Sequence, residues 1–238
     1  NTPTAGAFRG YGTMQELFGL EVLMEEIAEK LGVDVVEFKR KNWLKIGEPM
    51  YMAKKLGEGR EGYEQSLASS GLDQCVHIGL NATQYYQKRE QYKNQSGKIH
   101  HGIGMAIMMH GSGIAGLDMA AATMKMNDDG SFNLLVGATD IGTGSDTVLA
   151  QIAAEVLGIP IDDIIVYSSD TDFTPFDKGA YASSTTYISG GAVKKTAETI
   201  KKQVQEQAAL MLQWKDPSSL VLKNSCIFTP DGKSVSFQ

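Results

Sequence analysis

The chain has 238 residues, 42% of them hydrophobic and 21% charged, enough to bury the core of one large domain or two ordinary ones. Its formal net charge of −6 argues against a nucleic-acid partner, which needs clustered Lys and Arg in a basic balance. No apolar run has the length of a membrane span, and the two cysteines, Cys75 and Cys226, form no Cys-x-x-Cys pair and fit a reducing, cytoplasmic compartment.

Residues 6–12 read Gly-Ala-Phe-Arg-Gly-Tyr-Gly, with Gln15 just beyond. Three glycines allow positive φ and a close approach of backbone to a bulky group. Phe8, Arg9 and Tyr11 between them sit at the doorstep of a helix, so the stretch is either an ordinary Gly-rich turn or a collar for a flat or anionic ligand. The helix itself is predicted over residues 13–31, where Leu17, Leu20, Leu23 or Met24, Ile27 and Leu31 recur at helical spacing before Gly32. Asp34 is a good N-cap for a second helix that ends near Lys45. A charged, Gly-rich loop over residues 54–62 leads to helical patterns at 63–69 and 73–93.

From Ile99 the pattern changes to strand. Strand character is read at residues 101–110 and 118–126, then a hairpin turn at Asn127-Asp-Asp-Gly130 and a returning strand at 132–136. Gly111-Ser-Gly113-Ile-Ala-Gly116 matches the dinucleotide fingerprint by letter, but that fingerprint must open a helix, and strand follows here. The four histidines, His77, His100, His101 and His110, fall in no metal-ligand spacing, so any metal is expected to be carried by a cofactor.

The loop Gly137-Ala-Thr-Asp-Ile-Gly142-Thr143-Gly144-Ser145 joins a strand to a helix over residues 147–157. Such a loop aims N–H groups and hydroxyls over a helix N-terminus, as phosphate sites do, although a plain N-cap explains it equally. It is no Walker A loop, because the Lys-Ser/Thr ending is missing. After a strand at 164–168, the segment 179–186, containing Ala182, Ser183 and Thr185, precedes a long helix over 192–212. Asp170 and Asp172 read as a solvated loop, and a terminal hairpin is expected about Asp231-Gly232.

Three Gly, Ala, Ser and Thr stretches thus precede three helices, which suggests a large polar ligand clasped by backbone. The first motif with Gln15, the Gly-Ala-Thr-Asp-Ile-Gly-Thr-Gly loop and the Tyr-Ala-Ser-Ser block together resemble the molybdopterin-binding subunit of xanthine dehydrogenase and its relatives, the molybdenum hydroxylases. The resemblance implies an α+β fold with mixed sheets and packed helices. It also implies a molybdenum cofactor held through the dithiolene of molybdopterin, in mononucleotide or cytosine dinucleotide form. The implied reaction is hydroxylation of a heteroaromatic or aldehyde substrate with oxygen from water, electrons leaving through 2Fe–2S clusters to FAD on partner subunits. Carried over by motif, Phe8, Arg9, Gly142, Thr143, Gly144, Ala182, Ser183 and Thr185 bind the cofactor, while Tyr11 and Gly113 face the substrate.

The chain also departs from the family pattern. Thr143 stands where members often have Gln, Gly10 where the carbon monoxide branch has Cys, and residues 111–116 lack the aromatic that sandwiches a purine. The general-base glutamate of the family's Gly-Glu motif is expected in a segment outside this chain. The partners implied are the remaining molybdenum-subunit segment or a second molybdopterin subunit, an Fe–S subunit and an FAD subunit. The expected organisation is a helical cofactor-binding part at 1–97 and an α+β part at 98–238. The alternative from another class is a non-catalytic α/β module that binds a phosphate-bearing ligand or a partner protein.

Overall fold

The computed structural model describes residues 9–10, 12–55, 61–114 and 117–237. The chain divides into two compact units, Asn1–His110 and Gly111–Gln238.

The first unit is helical. Helix α1 spans Thr13–Leu31 with Gly32 in the left-handed conformation as its stop, and α2 spans Val35–Asn42, its first turn capped by Asp34 Oδ1 accepting the Glu37 N–H at 2.9 Å. The predicted helix at 73–93 is two, α3 at Leu72–Thr83 and α4 at Tyr85–Gln91, because Gln84 adopts φ 54 and breaks the run. No helix forms at 63–69, where Ser66 instead bridges Pro49 and the local amide bonds run across to residues 47–50. Ala28, Val35, Val36, Trp43, Val76 and Tyr85 make the core, with Ile103, Met105 and Ile107 packed against it.

The apolar face predicted for α1 turns only partly inward. Leu20, Leu23 and Leu31 are exposed, while Glu21 and Glu25 face the protein. The cause is Lys39, a buried cation whose Nζ donates to Glu21 Oε2 at 2.7 Å, to the Met105 carbonyl at 2.6 Å and toward Glu25 Oε1 at 3.5 Å. A buried ammonium demands such acceptors, and that demand sets the rotation of α1.

The second unit is built on a mixed three-stranded sheet, β1 (Ala122–Met126), β2 (Phe132–Val136) and β3 (Ile164–Ser168), in that order. The turn at 127–130 makes β1 and β2 antiparallel, whereas α5 (Ser145–Leu157) carries the chain over to a parallel β3, with Val136 opposite Ser168. Phe132, Leu134 and Val136 alternate into the core, where they meet Leu149, Ala153 and Leu157 of α5 and Val193 and Ala197 of the long helix α6 (Gly190–Leu212). A single turn of π-helix at Thr185–Ser189 feeds α6 and starts it earlier than its periodicity indicates.

Beyond α6, the terminal hairpin expected about Asp231-Gly232 is present as β5 (Cys226–Phe228) and β6 (Ser234–Ser236). A further strand, β4 (Val221–Lys223), completes an antiparallel sheet. Its end returns Phe237 to the core, edge-on to Phe132 at 5.8 Å between ring centroids. The architecture is α+β with mixed and antiparallel sheets. The segment from Gly111 leads into β1 and not into a helix, which removes the dinucleotide reading.

Candidate functional site

Parallel strands open their ligand crevices at their carboxyl ends, where the connecting loops diverge. Here β2 and β3 end side by side, and the connections that follow them are tied together there. Ser168 Oγ donates to Asp146 Oδ2 at 3.0 Å, joining the end of β3 to the first turn of α5, and Ser169 Oγ donates to the Ala138 carbonyl at 3.3 Å. Gly137 lies so close to residues 175–177 that a Cβ would stand 2.3 Å from the Pro175 carbonyl oxygen, a contact only glycine permits. Asp177 then binds onward, accepting the Gly179 N–H at 2.9 Å and the Ser189 hydroxyl at 2.6 Å.

The Gly-rich loop before α5 is held from within. Asp140 Oδ1 accepts the N–H groups of Gly142, Thr143 and Gly144 at 2.8, 2.9 and 3.2 Å. These bonds, that from Gly142 foremost, hold the Asp140 carboxyl below the usual aspartate range. The three amides expected to face a phosphate are therefore engaged by the chain's own carboxylate. The loop still offers two things. A Cβ added at Gly142 or Gly144 meets nothing within 4 Å, so the backbone surface there is open to close approach. Directly below, Ser145 is 4% exposed, and its Oγ has no hydrogen-bond partner among the described residues, nor does Asp146 Oδ1. Buried hydroxyls are ordinarily satisfied, so this one marks a place where a polar group belongs.

The third stretch carries backbone strain. Ala182 and Ser183 take φ 50 and 54, a left-handed pair without glycine, followed by the π turn that contains Thr185. Conformations of this kind cost about 1–3 kcal/mol each and gather at functional sites. Ser184 is buried and donates to the Tyr181 carbonyl at 2.7 Å. Gly113, 69 positions earlier in the chain, donates its N–H to the Ala182 carbonyl at 2.8 Å. Asp118 clasps the same turn: its Oδ2 accepts the Ile114 N–H at 2.7 Å and its Oδ1 accepts the Tyr181 hydroxyl.

In the second unit the Gly113 loop is thus bonded to Ala182, and the connections after β2 and β3, which carry Gly142–Gly144 and Ala182, Ser183 and Thr185, are tied to each other and, through Asp177, to the π turn. Arg9 belongs to the first unit, where it is exposed beside Gly10 and Gly12, whose φ values of 91 and 84 bear out the positive φ read from the motif. Phe8 and Tyr11 lie outside the described residues. Reasoning from the sequence placed Ser145 in the loop without singling it out, and missed Asp118, Asp146 and Asp177. An Asp two positions before Gly142 was a legible signal for the Asp140 turn, whereas nothing local marks the other three. Among the described residues no group of His, Cys, Asp and Glu is arranged to hold a metal.

Comparison with known proteins covers both units. Family models described as molybdopterin cofactor-binding domains match residues 1–43 and 79–238. A xanthine dehydrogenase molybdenum-binding subunit of Escherichia coli O157:H7 is 36% identical over 215 residues, 89% of this chain and 27% of that protein. The aldehyde oxidoreductase structure from Desulfovibrio gigas matches with a TM-score of 0.66 and 28% identity over 82% of this chain and 21% of its own. A carbon monoxide dehydrogenase from Oligotropha carboxidovorans shares the fold, with a TM-score of 0.76 at 22% identity over 96% of this chain and 30% of its own. The chain spans about a quarter of the length of the curated relatives it matches first.

Proposed function

The chain belongs to the molybdopterin cofactor-binding domain family, and from that premise we propose that it is part of the molybdenum subunit of a hydroxylase acting on a heteroaromatic or aldehyde substrate. The observation that carries this reading is the strand-end cluster, where a buried hydroxyl with no partner among the described residues adjoins an open Gly-rich loop. The donor set fits a phosphate-bearing organic cofactor and not a bare metal ion, since it offers hydroxyls and backbone in place of ligating side chains.

Ser145 Oγ would hold the phosphate end of the cofactor, and the open backbone surface at Gly142 and Gly144, beside Thr143, would admit its close approach. Ala182, Ser183 and Thr185 would line it, and the left-handed pair fixes the direction of their peptide groups before any ligand arrives. Gly113 would face the substrate, held to its neighbour by the Ala182 carbonyl, and Phe8, Arg9 and Tyr11 would contribute from the first motif. When bound, the molybdenum cofactor supplies the two-electron oxidation. The general base is assigned to a glutamate outside this chain, and electrons are assigned to 2Fe–2S and FAD partners in the cytoplasm. The cofactor form is assigned to molybdopterin with or without the cytosine nucleotide.

Metal analysis of the native complex, purified through a tag on this chain, tests the reading. About one molybdenum per chain with iron and flavin alongside is expected. A metal-free preparation that contains the full molybdenum subunit would overturn it and favour a binding module.

A further inference from the structure

We propose that the segment from Gly102 to Met108 is an open sheet edge that receives a β-strand from the remainder of the molybdenum subunit; the identity of that strand's owner rests on the family reading above. The sequence of this segment reads as strand, and its burial alternates with period two. Ile103, Met105 and Ile107 are half-buried against the helical core, while Gly102, Gly104, Ala106 and Met108 are exposed. Yet it pairs with no strand among the described residues.

One of its two edges is partly engaged by side chains of α1 and α2. In an extended chain the N–H and C=O of residues i and i+2 project to the same side. The Met105 carbonyl accepts Lys39 Nζ at 2.6 Å, and the Ile107 N–H donates to Glu21 Oε2 at 3.2 Å. The ion pair therefore supplies the odd-numbered edge with one of the donors and one of the acceptors that a neighbouring strand would give. On the other edge, the N–H and C=O groups of Gly104, Ala106 and Met108 have no partner among the described residues.

Beside residues 104–108 lies a groove of about 460 Å³. Its far wall is α3, with Cys75, Gly79 and Thr83 at four-residue spacing and Val76 and Leu80 beneath. The occupant that fits is extended backbone. Its donors and acceptors recur about every 6.8 Å, the spacing of residues 104, 106 and 108, whereas a helix satisfies its own backbone and leaves that edge unpaired. Alternate side chains of the incoming strand must be small and apolar to lie over Gly79 and Thr83. The source is given by length: the chain is 27% of its relative, so most of the subunit's strands lie outside it.

The test uses the assembled native complex. Hydrogen exchange resolved to single amides is expected to show Gly104, Ala106 and Met108 protected at least about tenfold relative to unstructured peptide, as Ile107 is. A photo-cross-linker on Cys75, which is exposed and lines the groove, is expected to capture an alternating segment of the molybdenum subunit. Free exchange at all three amides, or capture of the iron–sulfur or flavin subunit instead, overturns the proposal. Molybdenum content measured on the same sample separates the two readings. A loaded complex with unprotected amides sinks this inference alone, and a metal-free complex with protected amides sinks only the proposed function.

Discussion

Gly113 and Ala182, separated in sequence by the whole three-stranded sheet and α5, are joined by a 2.8 Å bond from the Gly113 N–H to the Ala182 carbonyl. The bond links two stretches that the sequence offers as unrelated small-residue motifs. It also places Gly113, at φ 73, where a Cβ would meet Ile188 and Asp118 at 3.2 and 3.3 Å.

Gly113→Ala is therefore expected to destabilise the second unit by about 1–3 kcal/mol, the cost of a left-handed non-glycine residue, with tight contacts added. Chemical denaturation of the assembled protein checks it. A variant of wild-type stability would show that the turn relaxes without loss.

Ser145→Ala should act in opposite directions with and without ligand. Removing a buried, unpartnered hydroxyl relieves a desolvation penalty of about 1–3 kcal/mol, so cofactor-free protein should hold its melting temperature or gain. Molybdenum content of the assembled enzyme should fall. An unchanged content would remove Ser145 from the cofactor's partners.

Lys39→Met leaves Glu21 and the Met105 carbonyl without their buried donor and is expected to cost about 3–5 kcal/mol. The double variant Lys39→Met with Glu21→Gln should recover part of that loss, because the stranded carboxylate is gone. A double-mutant cycle on unfolding free energies measures the coupling.

Asp140 ties its loop through a carboxyl whose acidity is increased by the Gly142 N–H first, then by those of Gly144 and Thr143. Since its folded value lies below the unfolded one, its contribution is present above the usual aspartate value and is lost as pH falls through the folded value. Protection of the Gly142–Gly144 amides, measured against the intrinsic exchange rate at each pH, should fall over that acid window. Asp140→Ala should show the lowered protection already at neutral pH.

The local signals in this chain were read correctly where the decision is local. The span 13–31 of α1, the β1–β2 turn, the strands at 132–136 and 164–168 and the Gly-rich stretches all follow from periodicity, breakers and caps. The resemblance of those stretches to the molybdopterin-binding family likewise lay in the letters. Tertiary contacts decided the rest, because burial, and with it the worth of a charge or a hydroxyl, is a property of neighbours distant in sequence. Lys39 rotates α1 away from its most apolar face, Asp140 claims the amides that the loop pattern offered either to a ligand or to a cap, and the Ser145 hydroxyl is buried with no partner among the described residues. The strand pattern at 101–110 marks the boundary between the two: the residues carry a strand's alternation, and only packing shows that Lys39 and Glu21 engage one edge of it.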